Sequence, residues 1–238
     1  MNKIEELKKL IDESKKILFL TGAGISTISG ISDFRSQDGL YQNTDFPYPP
    51  EEILSRTFFY THYDTFWKYY KKNFDFRKYE PNIVHNKIVE LQTRGKVLGV
   101  ITQNVDVLHS KAGTKDLIEY HGSIMKNKCC SCGKEFTADE VFEQDGVPRC
   151  DKCNGKIKPE ITLYEEYPYC HNSAVELLEQ ADLLIVLGTS LNVYPAAFFV
   201  EQFAVTGKVV IINKETTKKD KLATLCINED LNEVFKEI

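Results

Sequence analysis

No stretch of this 238-residue chain stays apolar for the roughly 20 residues that a membrane-crossing helix requires. The opening MNKIEELKKLIDES is charged and amphipathic, without an apolar core of signal-peptide length. A cytoplasmic protein with no membrane partner is therefore expected. Basic charge is not in surplus: 30 Lys and Arg against 35 Asp and Glu leave a net charge of -5, which argues against nucleic acid as a partner. The cysteines number seven, and an odd count fits a reducing compartment better than a disulfide framework. Internal repeats and low-complexity tracts are missing too. What remains, 42% hydrophobic and 27% charged residues, is the profile of a soluble globular protein with room for one large domain or one and a half.

The stretch ILFLTGAGISTISGISDFR organises the chain. Ile17 to Leu20 form a short apolar run, which reads as a strand buried on both faces. Gly22-Ala23-Gly24 follows at once and leads into a helical segment. Bare backbone N–H groups at such a junction, helped by the helix dipole, attract a phosphate. The dinucleotide fingerprint G-x-G-x-x-G is incomplete, because Thr27 stands where the third glycine belongs, and a plain turn stays open as the alternative.

The same grammar recurs along the chain. Residues 2 to 14 read as a helix with Ile4, Leu7, Leu10 and Ile11 on one face, and Pro81 opens a second helix that ends near Gly95. Buried strands are expected at 97–102, 117–120, 183–187 and 209–212. They deliver Gln103-Asn104-Val105-Asp106, His121-Gly122, Gly188-Thr189-Ser190 and Asn213 at their ends. Helices are expected at 172–180, 195–205 and 231–238. Strands that end in small or polar residues, with helices between them, predict an α/β fold with a doubly wound parallel, Rossmann-like sheet. Ligands of such sheets bind beyond the C-terminal strand ends. Two inserts interrupt it. Residues 51–76, dense in aromatics, suggest one or two helices with a local core, and the loop from Gln42 to Pro50 is a candidate lid.

The second insert carries C-x2-C-x17-C-x2-C at Cys129, Cys132, Cys150 and Cys153, the spacing of a four-thiolate zinc site. Four cysteines close the coordination sphere, so one structural zinc is expected. Cys130 lacks the x2 spacing to Cys132, and Cys170 and Cys226 read as small buried hydrophobes. His62, His85, His109 and His171 read as structural residues.

Taken together, the motifs GAGIS (22–26), DFRS (33–36), TQNVD (102–106), HG (121–122), the two CxxC pairs, GTSLNVYP (188–195) and IN (212–213) resemble the sirtuin family, the NAD-dependent protein lysine deacylases, in its compact bacterial form. The resemblance implies an NAD-binding domain from 1–35, 78–122 and 158–238. A smaller domain would combine a helical insert (36–77) with a zinc-binding insert (123–157). It implies that Gly22, Ala23, Gly24 and Thr27 line the NAD phosphates and ribose, with charge from Arg35 and cover for the nicotinamide ring from Phe34. Asp33 is either a cap or a direct cofactor contact. Gln103 and Asn104 would hold the nicotinamide ribose and an ordered water, with Asn104 counted among the catalytic groups. Asp106 and the backbone of Val105 would bind the carboxamide. Gly188, Thr189, Ser190, Asn213 and Asp230 would hold the adenosine half.

In the family's mechanism the acyl-lysine oxygen attacks the ribose carbon that bears nicotinamide. His121, as general base, then deprotonates a ribose hydroxyl; the acyl group passes to ADP-ribose and the lysine is freed. NAD is a consumed co-substrate, and the partner is an acylated lysine of a protein. The peptide is expected to pair as a strand between Leu163, Tyr164 and Glu165 on one side and Asn192, Val193 and Tyr194 on the other, on a monomeric enzyme. Two features are this chain's own. Tyr164-Glu165-Glu166 stands where the family usually has Phe-Gly-Glu, so an acidic charge beside the groove is expected to favour basic peptides. Family members that prefer acidic acyl groups carry a Tyr and an Arg three apart in the helical insert; here it reads Thr65-Phe66-Trp67-Lys68-Tyr69-Tyr70-Lys71, with no Arg in that stretch, so acetyl or longer apolar acyl groups are expected over succinyl. An ADP-ribosyltransferase on the same fold, a zinc-ribbon nucleic-acid module and a dehydrogenase are the competing classes. The charge of -5 weighs against the second, and the missing glycine with the four-cysteine knot against the third.

Overall fold

The computed structural model describes residues 2–33, 39 and 45–238. Its strands run β1 (Ile17–Thr21), β2 (Val97–Thr102), β3 (Leu117–Glu119), β4 (Gly122–Cys129), β5 (Glu135–Thr137), β6 (Ile157–Ile161), β7 (Leu183–Leu187), β8 (Lys208–Ile212) and β9 (Leu225–Ile227). The helices are α1 (Lys3–Glu13), α2 (Pro50–Ile53), α3 (Arg56–Thr61), α4 (Tyr63–Asn73), α5 (Ile83–Thr93), α6 (Leu108–Ala112), α7 (Ala138–Phe142), α8 (His171–Gln180), α9 (Ala196–Phe203) and α10 (Leu231–Glu237). Among the described residues no helix is long and apolar enough to cross a membrane.

Six strands form one sheet in the order β3-β2-β1-β7-β8-β9, every neighbour parallel. All five residues of β1 are buried because both faces are covered. Successive side chains point to opposite faces. Ile17 and Phe19 enter a core shared with Leu7 of α1, Ile88 of α5 and Val234 of α10, whereas Leu18 and Leu20 enter one shared with Leu178 of α8 and Phe199 of α9. The split repeats in β7, with Ile185 on the first side and Leu184 and Val186 on the second. The sheet is thus doubly wound, as expected. The strand order leaves β1 in both directions, which opens a crevice beyond the ends of β1, β2 and β7.

Three further strands form an antiparallel sheet, β5-β4-β6. The aromatic helices pack against it: Phe59, Phe66, Trp67 and Tyr70 share a core with Ile124, Phe136 and Ile157. Trp67 Nε1 donates to the Ile157 carbonyl at 3.1 Å, and Tyr63 Oη donates to the Pro148 carbonyl at 2.7 Å while accepting from Ile157 N–H at 2.8 Å. The two inserts are therefore one structure.

Some local features add to or depart from the sequence reading. The expected helical segment after β1 is a 3-10 helix, Ala23–Ser29, closed by Gly30 at φ +89°. Edge strand β9 and helix α6 went unread, since three and five residues are too short to show a period. Tyr120 lies just past β3.

Behind the crevice, His85 and His109 are buried with ring centroids 4.8 Å apart. His109 Nε2 meets Thr21 Oγ1 at 3.0 Å, while His85 Nδ1 accepts from Asn82 N–H and its Nε2 has no partner among the described residues. Burial pushes His85 down to about 4, and burial followed by the neighbouring His85 lowers His109 well below the usual range. The unfolded chain protonates near the ordinary value of about 6.5, so stability is full above that pH and falls as pH drops from there toward 4. His85 alone is expected to remove about 2–3 kcal/mol between pH 7 and 4.5, and His85→Asn to lose that part of the pH dependence, as read by urea unfolding at both pH values.

Candidate active site and metal centre

The crevice is built by close contact of strand tips. Gly22 N–H donates to the Leu187 carbonyl at 3.0 Å and Gly24 N–H to the Gly188 carbonyl at 2.8 Å, so the turn after β1 lies directly on the turn after β7. No side chain fits between them. A Cβ on Gly24 would stand 2.7 Å from Gly188 Cα, and one on Gly188, whose φ is +58°, would stand 2.7 Å from Ile25 N. These glycines serve backbone approach, a reason that holds without the third glycine of the dinucleotide fingerprint. Gly24→Ala is expected to cost about 1–3 kcal/mol of stability and to weaken NAD binding about tenfold or more, measured by thermal unfolding and calorimetric titration.

The tip of β2 closes over this turn. Gln103 N–H donates to the Thr21 carbonyl at 2.9 Å, and its side-chain amide reaches Thr189 Oγ1 at 3.2 Å. Asn104 Nδ2 donates to the Gly22 carbonyl and to Ser26 Oγ, both at 3.0 Å. Ser26 Oγ in turn donates to Asp106 Oδ2 at 2.6 Å, and Leu108 N–H donates to Asp106 Oδ1 at 2.9 Å. Asp106 is 4% exposed, and burial raises its pKa against the opposing pull of these two donors. Each carboxylate oxygen keeps a further acceptor site, which suits an amide N–H of a ligand.

His121 stands at the same place. Its Nδ1 lies 3.0 Å from the Gln103 carbonyl, which can only accept, so the proton sits on Nδ1 and Nε2 carries the lone pair. Burial lowers its pKa, with the Gln103 carbonyl pulling the other way, so the ring is a neutral base at neutral pH. Gly122, at φ +84°, follows; a Cβ there would lie 2.0 Å from the Glu160 carbonyl oxygen.

Gly22, Gly24, Gln103, Asn104, His121, Gly188 and Thr189 are thus joined by direct hydrogen bonds or one backbone step, and Asp106 joins them through Ser26. Asn213 follows β8, its N–H held by the Ile227 carbonyl at 3.1 Å. Asp230 caps α10 through Asn232 N–H at 2.8 Å. Thr27 Oγ1 donates to the Gly24 carbonyl at 2.9 Å. Ala23, Asp33, Val105 and Ser190 are half-buried beside these residues in the chain. Phe34 and Arg35, with part of the candidate lid, lie outside the described residues. Ser26 joins Asn104 to Asp106 and was not singled out from sequence, although the GAGIS motif contains it.

On the expected peptide edge, Tyr164 N–H donates to the Leu54 carbonyl and Arg56 N–H to the Tyr164 carbonyl, both at 3.0 Å. The Glu165 carboxylate does not project as a loose charge. Its Oε2 accepts from Thr57 N–H at 2.9 Å and Thr57 Oγ1 at 2.7 Å, and the Thr57 hydroxyl lowers its pKa. Both donors are neutral, so the carboxylate keeps its charge at the exposed edge while its position is fixed. Leu163 is buried, and Asn192 and Val193 lie on the loop after β7. The Tyr194 hydroxyl donates to Glu201 at 2.8 Å.

In the second core, the sulfurs of Cys129, Cys132, Cys150 and Cys153 lie within 4.8 Å of one another, with Cys129–Cys153 at 3.5 Å and Cys132–Cys150 at 3.7 Å. Tetrahedral thiolates at the usual zinc–sulfur distance stand about 3.8 Å apart, so the set fits one zinc. The Cys132 N–H brings Cys129 down to about 6, which favours the thiolate. Cys130 is exposed and outside the cluster.

A glycine turn locked against two strand tips, a buried carboxylate, a neutral imidazole and a separate four-thiolate knot define an enzyme that binds a dinucleotide and keeps its metal for structure. The Sir2 family model matches residues 22–195. An NAD-dependent protein deacetylase of Clostridium acetobutylicum is 42% identical over 100% of this chain and 98% of its own length. One of Fusobacterium nucleatum is 44% identical over 99% and 91%. Among solved structures, a Sir2 variant with deacetylated p53 peptide and 3'-O-acetyl ADP-ribose superposes with a TM-score of 0.91 at 38% identity, covering 98% of this chain and 96% of that one. A Sir2–p53 peptide–NAD+ structure gives 0.88 at 38% identity over 98% and 95%. The chain belongs to the Sir2 family.

Proposed function

We propose that the protein is an NAD-dependent protein lysine deacylase that moves the acyl group of a substrate lysine to ADP-ribose and releases nicotinamide. The observation that carries the reading is the hydrogen-bonded meeting of the tips of β1, β2 and β7, with Asp106 tied in through Ser26 and His121 Nδ1 held by the Gln103 carbonyl beside them. When bound, NAD supplies the ribose carbon that receives the acyl oxygen. Within the chain, Gly22, Ala23, Gly24, Thr27 and Arg35 hold phosphates and ribose, and Phe34 keeps water from the sugar. Asp106 and the Val105 backbone hold the carboxamide, while Gln103 and Asn104 hold the ribose hydroxyls. Gly188, Thr189, Ser190, Asn213 and Asp230 hold the adenosine half. With NAD bound, His121 would take the proton of a ribose hydroxyl on Nε2 as that hydroxyl's oxygen bonds to the acyl carbon. Cys129, Cys132, Cys150 and Cys153 hold one structural zinc that takes no part in the reaction.

The substrate peptide lies between Leu163–Glu165 and Asn192–Tyr194. The protein acts as a cytoplasmic monomer, with the larger domain formed by 1–35, 78–122 and 158–238 and the smaller by 36–77 and 123–157. Nicotinamide release from NAD that requires an acetyl-lysine peptide, with acetyl-ADP-ribose seen by mass spectrometry, is the expected result. Release without the peptide, leaving ADP-ribosylated protein, refutes it. The stretch 65–71 of the helical insert carries no Arg to pair with an acidic acyl group, so acetyl peptides are expected to turn over faster than succinyl ones. The reverse order in paired assays sinks that preference.

A further inference from the structure

We infer that Glu165 is a peptide-positioning residue, whose carboxylate clamps a left-handed turn so that the turn's own backbone groups face the substrate. The inference rests on the peptide placement proposed above and adds what holds that edge. Glu165 has φ +72°, a conformation natural to glycine. Its side chain spans to the first turn of α3, where Oε2 receives both Thr57 bonds. The residue before it, Tyr164, is bracketed by Leu54 and Arg56. The residue after it, Glu166, accepts from Leu163 N–H at 3.0 Å and pairs with Lys158 at 2.9 Å. Each neighbour is tethered, whereas the N–H and C=O of Glu165 make no backbone hydrogen bond among the described residues.

An extended peptide offers the complementary donor and acceptor. A glycine at this position would reach the same φ but would also sample its other wide wells. Glutamate gives up that freedom when the protein folds, not when the peptide binds, and pre-ordering of this kind appears as affinity. The carboxylate therefore acts through the turn it fixes, with no need to touch the substrate.

Steady-state kinetics with an acetyl-lysine peptide test this. Glu165→Gly is expected to raise the peptide KM about tenfold, with kcat and the KM for NAD unchanged within about twofold. Glu165→Gln keeps an oxygen for both Thr57 donors and is expected to restore KM to within about threefold of the parent. A peptide KM unchanged in Glu165→Gly overturns the inference. So does a Glu165→Gln variant as weak as the glycine one, which assigns the effect to charge. Val193→Pro tests the placement separately by removing an N–H from the opposite edge. A flat KM there refutes the placement, whereas a raised KM alongside a flat Glu165→Gly refutes only the clamp. If Val193→Pro does not fold, amide exchange at 163–166 decides: slowing on peptide addition supports the placement, and no change refutes it.

Discussion

His121→Ala is expected to lower kcat for deacetylation by about 100- to 10,000-fold, the range that a positioned general base supplies, while the protein stays folded. The side chain is held by one hydrogen bond, to the Gln103 carbonyl, and its loss strands no buried donor, so stability changes little. The pH profile distinguishes the base from a merely structural ring. Burial lowers the His121 pKa, so the base is neutral at pH 7 and stays so into mildly acidic solution. The acid limb of kcat/KM should then fall below the ordinary imidazole value of about 6.5 and vanish in His121→Ala. An acid limb above that value, or a variant with undiminished kcat, refutes the role.

Cys150→Ala is expected to lose the metal and unfold the antiparallel sheet with its aromatic helices. Structural zinc contributes about 10–16 kcal/mol of apparent binding energy in small metal-folded peptides, as much as the whole stability of an ordinary domain of about 5–15 kcal/mol. Cys129 and Cys150 are each 2% exposed and belong to the same core as Trp67, so the metal and the aromatics support each other. The chain has one tryptophan, and it is fully buried in this core. Its emission therefore reports this unit alone. Metal analysis should find about one zinc per chain in the parent and none in the variant. Tryptophan emission should shift to the red on chelation, while far-UV circular dichroism keeps the signal of the parallel sheet and its helices. Unchanged emission and full deacetylation after complete zinc removal would overturn this account.

The parallel sheet was legible because its central strands are buried on both faces. Leu183–Leu187 is an unbroken apolar run, and so, but for Thr21, is Ile17–Thr21; each ends in glycine. The thiolate knot was legible from spacing alone. The site was read in pieces, one strand tip at a time, because sequence shows which residues lie at tips but not which tips touch. Ser26 was missed for that reason: its role lies in the bonds to Asn104 and Asp106, whose partners lie about eighty positions along. The hold on the Glu165 carboxylate was not legible because its partner, Thr57, lies 108 positions away. Edge strand β9 was missed because Leu-Cys-Ile carries no pattern of its own and pairs only because β8 offers a free edge.

Strand β4 begins at Gly122, directly after His121, and ends at Cys129, a sulfur of the knot. Eight extended residues, about 24 Å long, thus form a strut between the two. Loss of the metal at Cys129 would slacken the far end of that strut, so the knot bears on how firmly the residue before Gly122 is seated although it lies remote from the crevice.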